Sequence, residues 1–183
     1  MQEAKLQSPR IICRVEKQRG DGEIWPVSEY ELATRMSFII WGATPDKKLL
    51  ELAESGELFS PEVMNEQIDR MLADSRAVRR SIEFANEWLN LNRLANMSPN
   101  AKRFPGWSRE LAMDMKAESL AFFEEVIWKQ KRPLAELLNA DMTFATPRLA
   151  KHYGLSAKGG VGLARYDLKL SLIHICRCRR IER

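Results

Sequence analysis

Residues 28–46, SEYELATRMSFIIWGATPD, decide how the rest of the chain is interpreted. Ser28 followed three residues later by Glu31 is a capping-box pattern, which predicts that a helix begins here. Gly42 then ends this helix. Between these marks, apolar residues recur at helical spacing and therefore share one face. They are Leu32, Met36, Ile39 and Ile40.

Sequence signals for helix starts and helix ends recur along the chain. Three pairs place a capping hydroxyl before a proline at a first helical position: Thr44-Pro45, Ser60-Pro61 and Thr146-Pro147. Gly56 and Gly154 occupy positions typical of a left-handed helix end. No alternating strand pattern persists for more than a few residues. The predicted fold class is therefore all-α, an irregular bundle of about seven helices in one domain. The predicted helices span residues 29–41, 45–55, 61–73, 75–94, 108–129, 133–138 and 147–153.

One predicted helix has an unusually broad apolar face. Val78, Ile82, Ala85, Trp88 and Leu89 recur at helical spacing over residues 75–94. Further apolar residues widen that face, so the helix is predicted to be buried on more than one side. They are Phe84, Leu91 and Leu94.

The last residues change how the composition is interpreted. Residues 170–183 resemble the translation of an adapter used in preparing sequencing libraries, and such segments are excluded from fold reasoning. They contain four Arg and one Glu, a net charge of +3, which leaves +1 of the formal +4 for the rest. The alternative is a basic, Cys-rich tail that binds nucleic acid or metal. With the tail excluded, nucleic acid is not a predicted partner.

The composition of residues 1–169 limits which disulfides and metal sites the chain could form. Cys13 and His152 are then the only Cys and His, too few for an internal disulfide or a zinc site, so no metal is predicted. Cys13 lies in an apolar run, where a small buried hydrophobe is expected. No apolar run approaches the roughly 18 residues needed to cross a bilayer. We expect the chain to be a gene fragment without its own signal peptide.

A set of short motifs is spread along the chain rather than confined to one position. They are Leu6-Gln7-Ser8-Pro9-Arg10, Tyr30-Glu31-Leu32-Ala33 with Arg35, Ser37 and Trp41, Met71-Leu72-Ala73-Asp74-Ser75-Arg76, Trp88-Leu89, Glu118 with Phe122-Phe123, Leu137-Leu138, Ala140-Asp141, Thr143-Phe144, Arg148-Leu149-Ala150 and His152-Tyr153-Gly154. Through these motifs, residues 6 to about 155 resemble a family of planctomycete-type domains of unknown function, which occur in large proteins that also carry cytochrome c domains.

This resemblance implies a context rather than a reaction. The expected partners are other domains of the same polypeptide, including a cytochrome c domain, and the expected location is periplasmic or at the cell surface. The chain has no Cys-x-x-Cys-His motif. No cofactor is therefore predicted in this fragment, and covalent c-type haem is expected only in missing neighbouring domains.

The domain organisation follows from these observations. Residues 1–26 are interpreted as a remnant of a preceding segment with a linker, and residues 27–155 as the helical domain. Gly159, Gly160 and Gly162 indicate that residues 156–169 are a linker to a missing downstream domain.

Asp141, Arg148 and His152 are the weak catalytic candidates. A His side chain can serve as an acid or a base near neutral pH, and Asp141 could orient His152 as an acid–base pair. The structural interpretation is favoured, because Asp141 precedes Thr143 in a predicted turn and the two cations lie near a helix C-terminus. Neither a nucleophile nor a second base accompanies them.

Arg35 and Trp107 each have two possible interpretations. Arg35 either pairs with Glu31 one helical turn earlier or forms a buried charge pair with Glu118, and the first is favoured. Trp107 either plugs the core or forms an exposed platform that stacks on a sugar ring, and again the first is favoured.

The leading interpretation is an accessory or structural helical domain of a large exported cytochrome c-linked protein. The alternatives are an enzyme or a carbohydrate-binding module acting on extracellular polysaccharide. An enclosed polar pocket around Asp141 would favour the enzyme, and coplanar exposed aromatic rings would favour the binding module. A closed core with only solvated charges outside would favour the structural domain.

Overall fold

The computed structural model describes residues 26–168, and 59% of this part is helical. The predominantly helical fold class is therefore confirmed. The predicted adapter segment 170–183, and Cys13, lie outside the described residues. The α-helices of the described part are α1 Glu29–Ile40, α2 Lys47–Ser55, α3 Pro61–Leu72, α4 Ser75–Trp88, α5 Arg109–Glu124 and α6 Pro147–His152.

The helix starts follow the sequence closely, with two corrections. Ser60 is the N-cap of α3, but its hydroxyl makes no capping hydrogen bond and instead donates to the Glu62 carboxylate at 2.7 Å. The Ser28 hydroxyl accepts from the Glu31 amide at 3.3 Å, and the Glu31 carboxylate accepts from the Ser28 amide at 2.7 Å, which confirms the capping box. Pro45 does not begin α2. Asp46 is the N-cap instead, and its side chain accepts from the Leu49 amide at 3.0 Å. A carboxylate caps well because it also favours the positive end of the helix dipole.

One predicted helix is shorter than the apolar pattern indicates. α4 ends at Trp88 rather than residue 94, since Asn90 adopts a left-handed conformation with φ of 52°. Asn tolerates this conformation better than most residues. A 3₁₀-helix, Leu91–Asn96, follows. α5 continues into a π-helical turn, Glu125–Lys129, and a second 3₁₀-helix spans Leu134–Leu137.

A small antiparallel sheet is a further correction. β1 (Met142–Ala145) pairs with β2 (Ala164–Asp167), with Thr143 opposite Tyr166. The sequence predicts no strand, and β2 lies in the segment interpreted as a linker. Strands of four residues are too short for alternation to be recognised, and their pairing depends on residues far apart in sequence.

The chain divides into two compact units after Ala77, within α4. In the first unit Trp41 is only 4% exposed, and its indole N–H donates to the Met71 carbonyl at 2.9 Å. The Arg76 guanidinium lies 3.5 Å from the ring centroid, a cation–π contact. This arrangement fixes the end of α1 against the end of α3.

Asp46, the N-cap of α2, links the start of that helix to the end of α3 through charge. Both of its oxygens accept from the Arg70 guanidinium, at 2.6 and 3.2 Å. Burial acts to raise the pKa of Asp46, but the bonds from Arg70 and the Leu49 amide outweigh it. The pKa of this carboxyl is therefore lowered.

In the second unit, α5 packs against β1 and α6. One core cluster joins Leu111, Ala145, Leu149, Ala150 and Tyr166, which come from α5, both strands and α6. A second cluster joins Val126, Ala140 and Met142. The sheet therefore completes the core beside α5.

We predict that Trp41→Phe lowers the free energy of unfolding by about 1–3 kcal/mol, because the buried indole hydrogen bond is lost. Urea unfolding of the full chain measures this. Trp88→Phe is the matched control, since Trp88 is 68% exposed and its loss should cost less than about 0.5 kcal/mol. Equal effects of the two substitutions would contradict the role assigned to Trp41.

Candidate binding site

The second unit contains an apolar groove with a volume of about 630 Å³. The end of α4, the middle of α5, the Leu134–Leu137 segment, β1 and Tyr153 after α6 contribute to it. The apolar lining includes two walls and a rim that remains largely exposed. The wall residues are Phe122 and Phe123, and the rim residues are Trp88, Leu89, Leu134 and Leu138.

α5 places a polar group beneath this apolar lining. The helix begins at a fixed point, because the Ser108 hydroxyl accepts from the Leu111 amide at 3.1 Å. Glu118, Ser119 and Phe122 then lie within about one turn on the same side. All three line the groove.

Glu118 is a buried acid, only 8% exposed, that is held by two hydroxyls. Thr143 of β1 donates to one carboxylate oxygen, and Tyr153 donates to the other at 2.7 Å. Burial raises the pKa of Glu118, and the two hydrogen bonds oppose it without cancelling it, so the pKa lies above its ordinary value. A carboxyl with a raised pKa in a cleft is a typical feature of functional sites.

The rim corrects the prediction that residues 75–94 are buried on more than one side. Trp88 is 68% exposed and stacks on Phe84, with ring centroids 6.1 Å apart. A broad apolar face indicates where apolar residues gather, but not whether another element covers them. In this structure part of that face lines the groove.

The weak catalytic candidates lie elsewhere in the second unit. Arg148 pairs with Asp114 at 3.2 Å and with Glu110 at 3.9 Å. Asp141 and His152 are both exposed, and the His152 ring packs beside Tyr153 with centroids 5.7 Å apart. None of the three candidates is among the residues that line the groove. Their catalytic role stays a prediction.

The other two candidates are the Trp107 platform and the Arg35–Glu118 charge pair. Trp107 is half-buried, and its indole N–H is directed at the Met97 carbonyl, at 3.4 Å, within its own loop. Glu118 is buried as the charge-pair hypothesis requires. Arg35 belongs to the first unit, so the Arg35–Glu118 pair stays a prediction.

Sequence reasoning missed Thr143, Tyr153 and Ser119 as functional positions. Thr143 is separated from Glu118 by 25 residues and Tyr153 by 35. No local pattern links residues so far apart. Glu118 itself was named from the sequence, as the possible buried charge partner of Arg35, and a buried acid requires such a partner.

Fold and groove together define a small helical domain with a ligand-sized cleft. The sequence model of the family described as "Protein of unknown function (DUF1592)" matches residues 27–155. The chain belongs to this family. No curated protein and no solved structure matches the chain. Among residues 26–168, none of the helices is both long and apolar enough to span a membrane.

We predict that Glu118 makes stability depend on pH. Because its pKa is raised in the folded state, its contribution is fully present below the ordinary value of 4.5 and is lost as pH rises through the raised value. Glu118→Gln removes this contribution. The difference in unfolding free energy, variant minus wild type, should therefore become more positive as pH rises from 4 to 8.

Urea unfolding at several pH values tests the prediction. Glu54→Gln, at an exposed position in the first unit, is the matched control for a Glu-to-Gln change. If the unfolding free energies of Glu118→Gln and the wild type differ by the same amount at every pH, Glu118 has the same pKa in the folded and unfolded states, and the prediction is wrong.

Proposed function

We propose that this domain is a non-catalytic accessory domain that binds a ligand in its groove, within a large exported polypeptide that also carries a cytochrome c domain. The groove is the observation that carries the proposal. The cytochrome-linked and extracytoplasmic context is supported by the resemblance of residues 6 to about 155 to such domains.

The size and exposure of the groove support binding. Ligand pockets usually measure about 300–1,000 Å³, are mainly apolar and contain a few polar groups that fix orientation. This groove has about 630 Å³ and a buried carboxyl. Leu134 is 62% exposed and Leu138 is 67% exposed, so a bound molecule would remove apolar surface from water.

The arrangement gives less support to catalysis. An acid–base reaction needs a second titratable group or an activated nucleophile beside the first. Within the described lining, Glu118 is accompanied by the hydroxyls of Ser119, Thr143 and Tyr153, and all three donate to protein acceptors. Tyr153 is the one other titratable side chain of that lining, and its proton is directed at Glu118 itself. Asp141, which the enzyme hypothesis invoked, does not line the groove.

One observation favours the carbohydrate-binding alternative. The rings of Phe84 and Trp88 lie 14° from parallel and both are exposed. Exposed aromatic faces stack on sugar rings. The binding experiment therefore includes a sugar.

We predict that the full chain binds the neutral apolar dye N-phenyl-1-naphthylamine saturably at one site, with a rise in dye fluorescence. Leu138→Asp should weaken binding at least tenfold, because it places a charge on the rim. Ile39→Asp is the matched control, since Ile39 is 70% exposed on α1 in the first unit. Cellohexaose should not displace the dye.

Two outcomes would contradict this proposal. Equal loss in both variants would mean that the dye does not occupy the groove. Displacement by cellohexaose, lost in Trp88→Ala, would favour the carbohydrate-binding module instead.

We also predict that the full chain gives no sharp, stoichiometric Soret band when mixed with haem. His152 lies at the exposed end of α6, outside the residues that line the groove. His174→Ala is examined alongside, since that position carries the other His of the chain. A sharp spectrum that disappears in His152→Ala would make this a haem-binding domain.

A further inference from the structure

The hydroxyls at the floor of the groove direct their protons into the protein. Thr143 and Tyr153 both donate to Glu118. The Ser119 hydroxyl donates to the Met115 carbonyl one turn earlier, at 3.0 Å. Each of these protons is engaged, so the oxygens of Thr143 and Ser119 offer lone pairs to the groove. The floor therefore presents acceptors.

Glu118 adds charge to these acceptors. With both hydroxyls donating to it, the carboxyl has the hydrogen-bond pattern of its ionised form, which only accepts. Each carboxylate oxygen can accept more than one hydrogen bond. One accepts from Thr143 and the other from Tyr153. A cation beside the buried carboxylate would offset the cost of its desolvation.

The aromatic wall residues of the groove also favour a bound cation. Phe122 and Phe123 line the groove near the turn of α5 that carries Glu118. The faces of aromatic rings attract cations, and ammonium groups in aromatic cages use this attraction together with a carboxylate. An apolar body attached to the cation would cover the exposed rim.

We propose that the groove binds a small organic amine in its ammonium form. Its three N–H donors meet the Glu118 carboxylate and the Ser119 oxygen, and its apolar body lies between Phe122, Leu134 and Leu138. This inference rests on the proposed function of the groove and names the ligand class. A neutral molecule would leave the carboxylate unmatched, and an anion would be repelled by it.

Three probes with one carbon skeleton test the proposal by calorimetry with the full chain at pH 7. They are 4-phenylbutylamine, 4-phenylbutan-1-ol and 4-phenylbutanoate. The amine should bind at least tenfold more tightly than the alcohol, and the acid should bind most weakly. Glu118→Gln should lower the affinity for the amine to that for the alcohol and leave alcohol binding within about twofold. Glu110→Gln, on the same helix outside the groove, should change neither affinity.

The outcomes separate this inference from the proposed function. If the amine and the alcohol bind equally at the site that Leu138→Asp weakens, the groove binds ligands and the amine inference is wrong. If neither they nor the dye bind, both are wrong. An amine preference that survives Glu118→Gln also overturns the inference. Circular dichroism shows whether that variant folds. If it does not, Ser119→Ala replaces it and should lower the amine affinity several-fold without changing alcohol binding, and an unchanged amine preference would overturn the inference.

Discussion

The second unit depends on the way in which one buried carboxyl obtains its hydrogen bonds. Glu118 of α5 accepts from Thr143 of β1 and from Tyr153 after α6. A buried carboxyl without such partners is strongly unfavourable, so the three elements are held together by a group that none of them satisfies alone. The strand is fixed in turn by its pairing with β2, where Tyr166 lies opposite Thr143 and is buried.

The groove above this carboxyl exists because the chain twice leaves its helical path. Asn90 has a φ of 52° and ends the apolar run of α4, and Lys131 has a φ of 51° just after the π-helical turn that continues α5. Both residues occupy left-handed backbone, which non-glycine residues adopt only at some cost. The short 3₁₀-helix that follows Lys131 carries Leu134 to the rim without filling the space behind it.

Local sequence accounts for the helices and most of their starts, because capping depends on residues within one turn. The Ser28–Glu31 box and the Thr146 cap form where the sequence predicts them, and Ser60 takes the predicted N-cap position without a capping hydrogen bond from its hydroxyl. The sheet and the partners of Glu118 were not predictable in this way. The strands pair residues 19 to 25 positions apart, and Glu118 accepts from residues 25 and 35 positions away. The apolar face of α4 was detected but assigned to the core. Periodicity reports the direction of apolar side chains and not what covers them.

The observed site is neither an enclosed polar pocket around Asp141 nor a closed core, and the exposed rings of Phe84 and Trp88 are the one feature that meets an arrangement expected from the sequence. The composition of the groove explains why ligand binding is the better conclusion. A packed apolar side chain at position 118 would often be neutral or stabilising compared with a buried carboxyl. The chain instead directs two hydroxyls to that carboxyl, while burial raises its pKa. A purely structural domain gains little from an acid at the floor of an open apolar groove. A ligand that supplies a donor and a positive charge turns the same acid from a cost to folding into a source of affinity and selectivity.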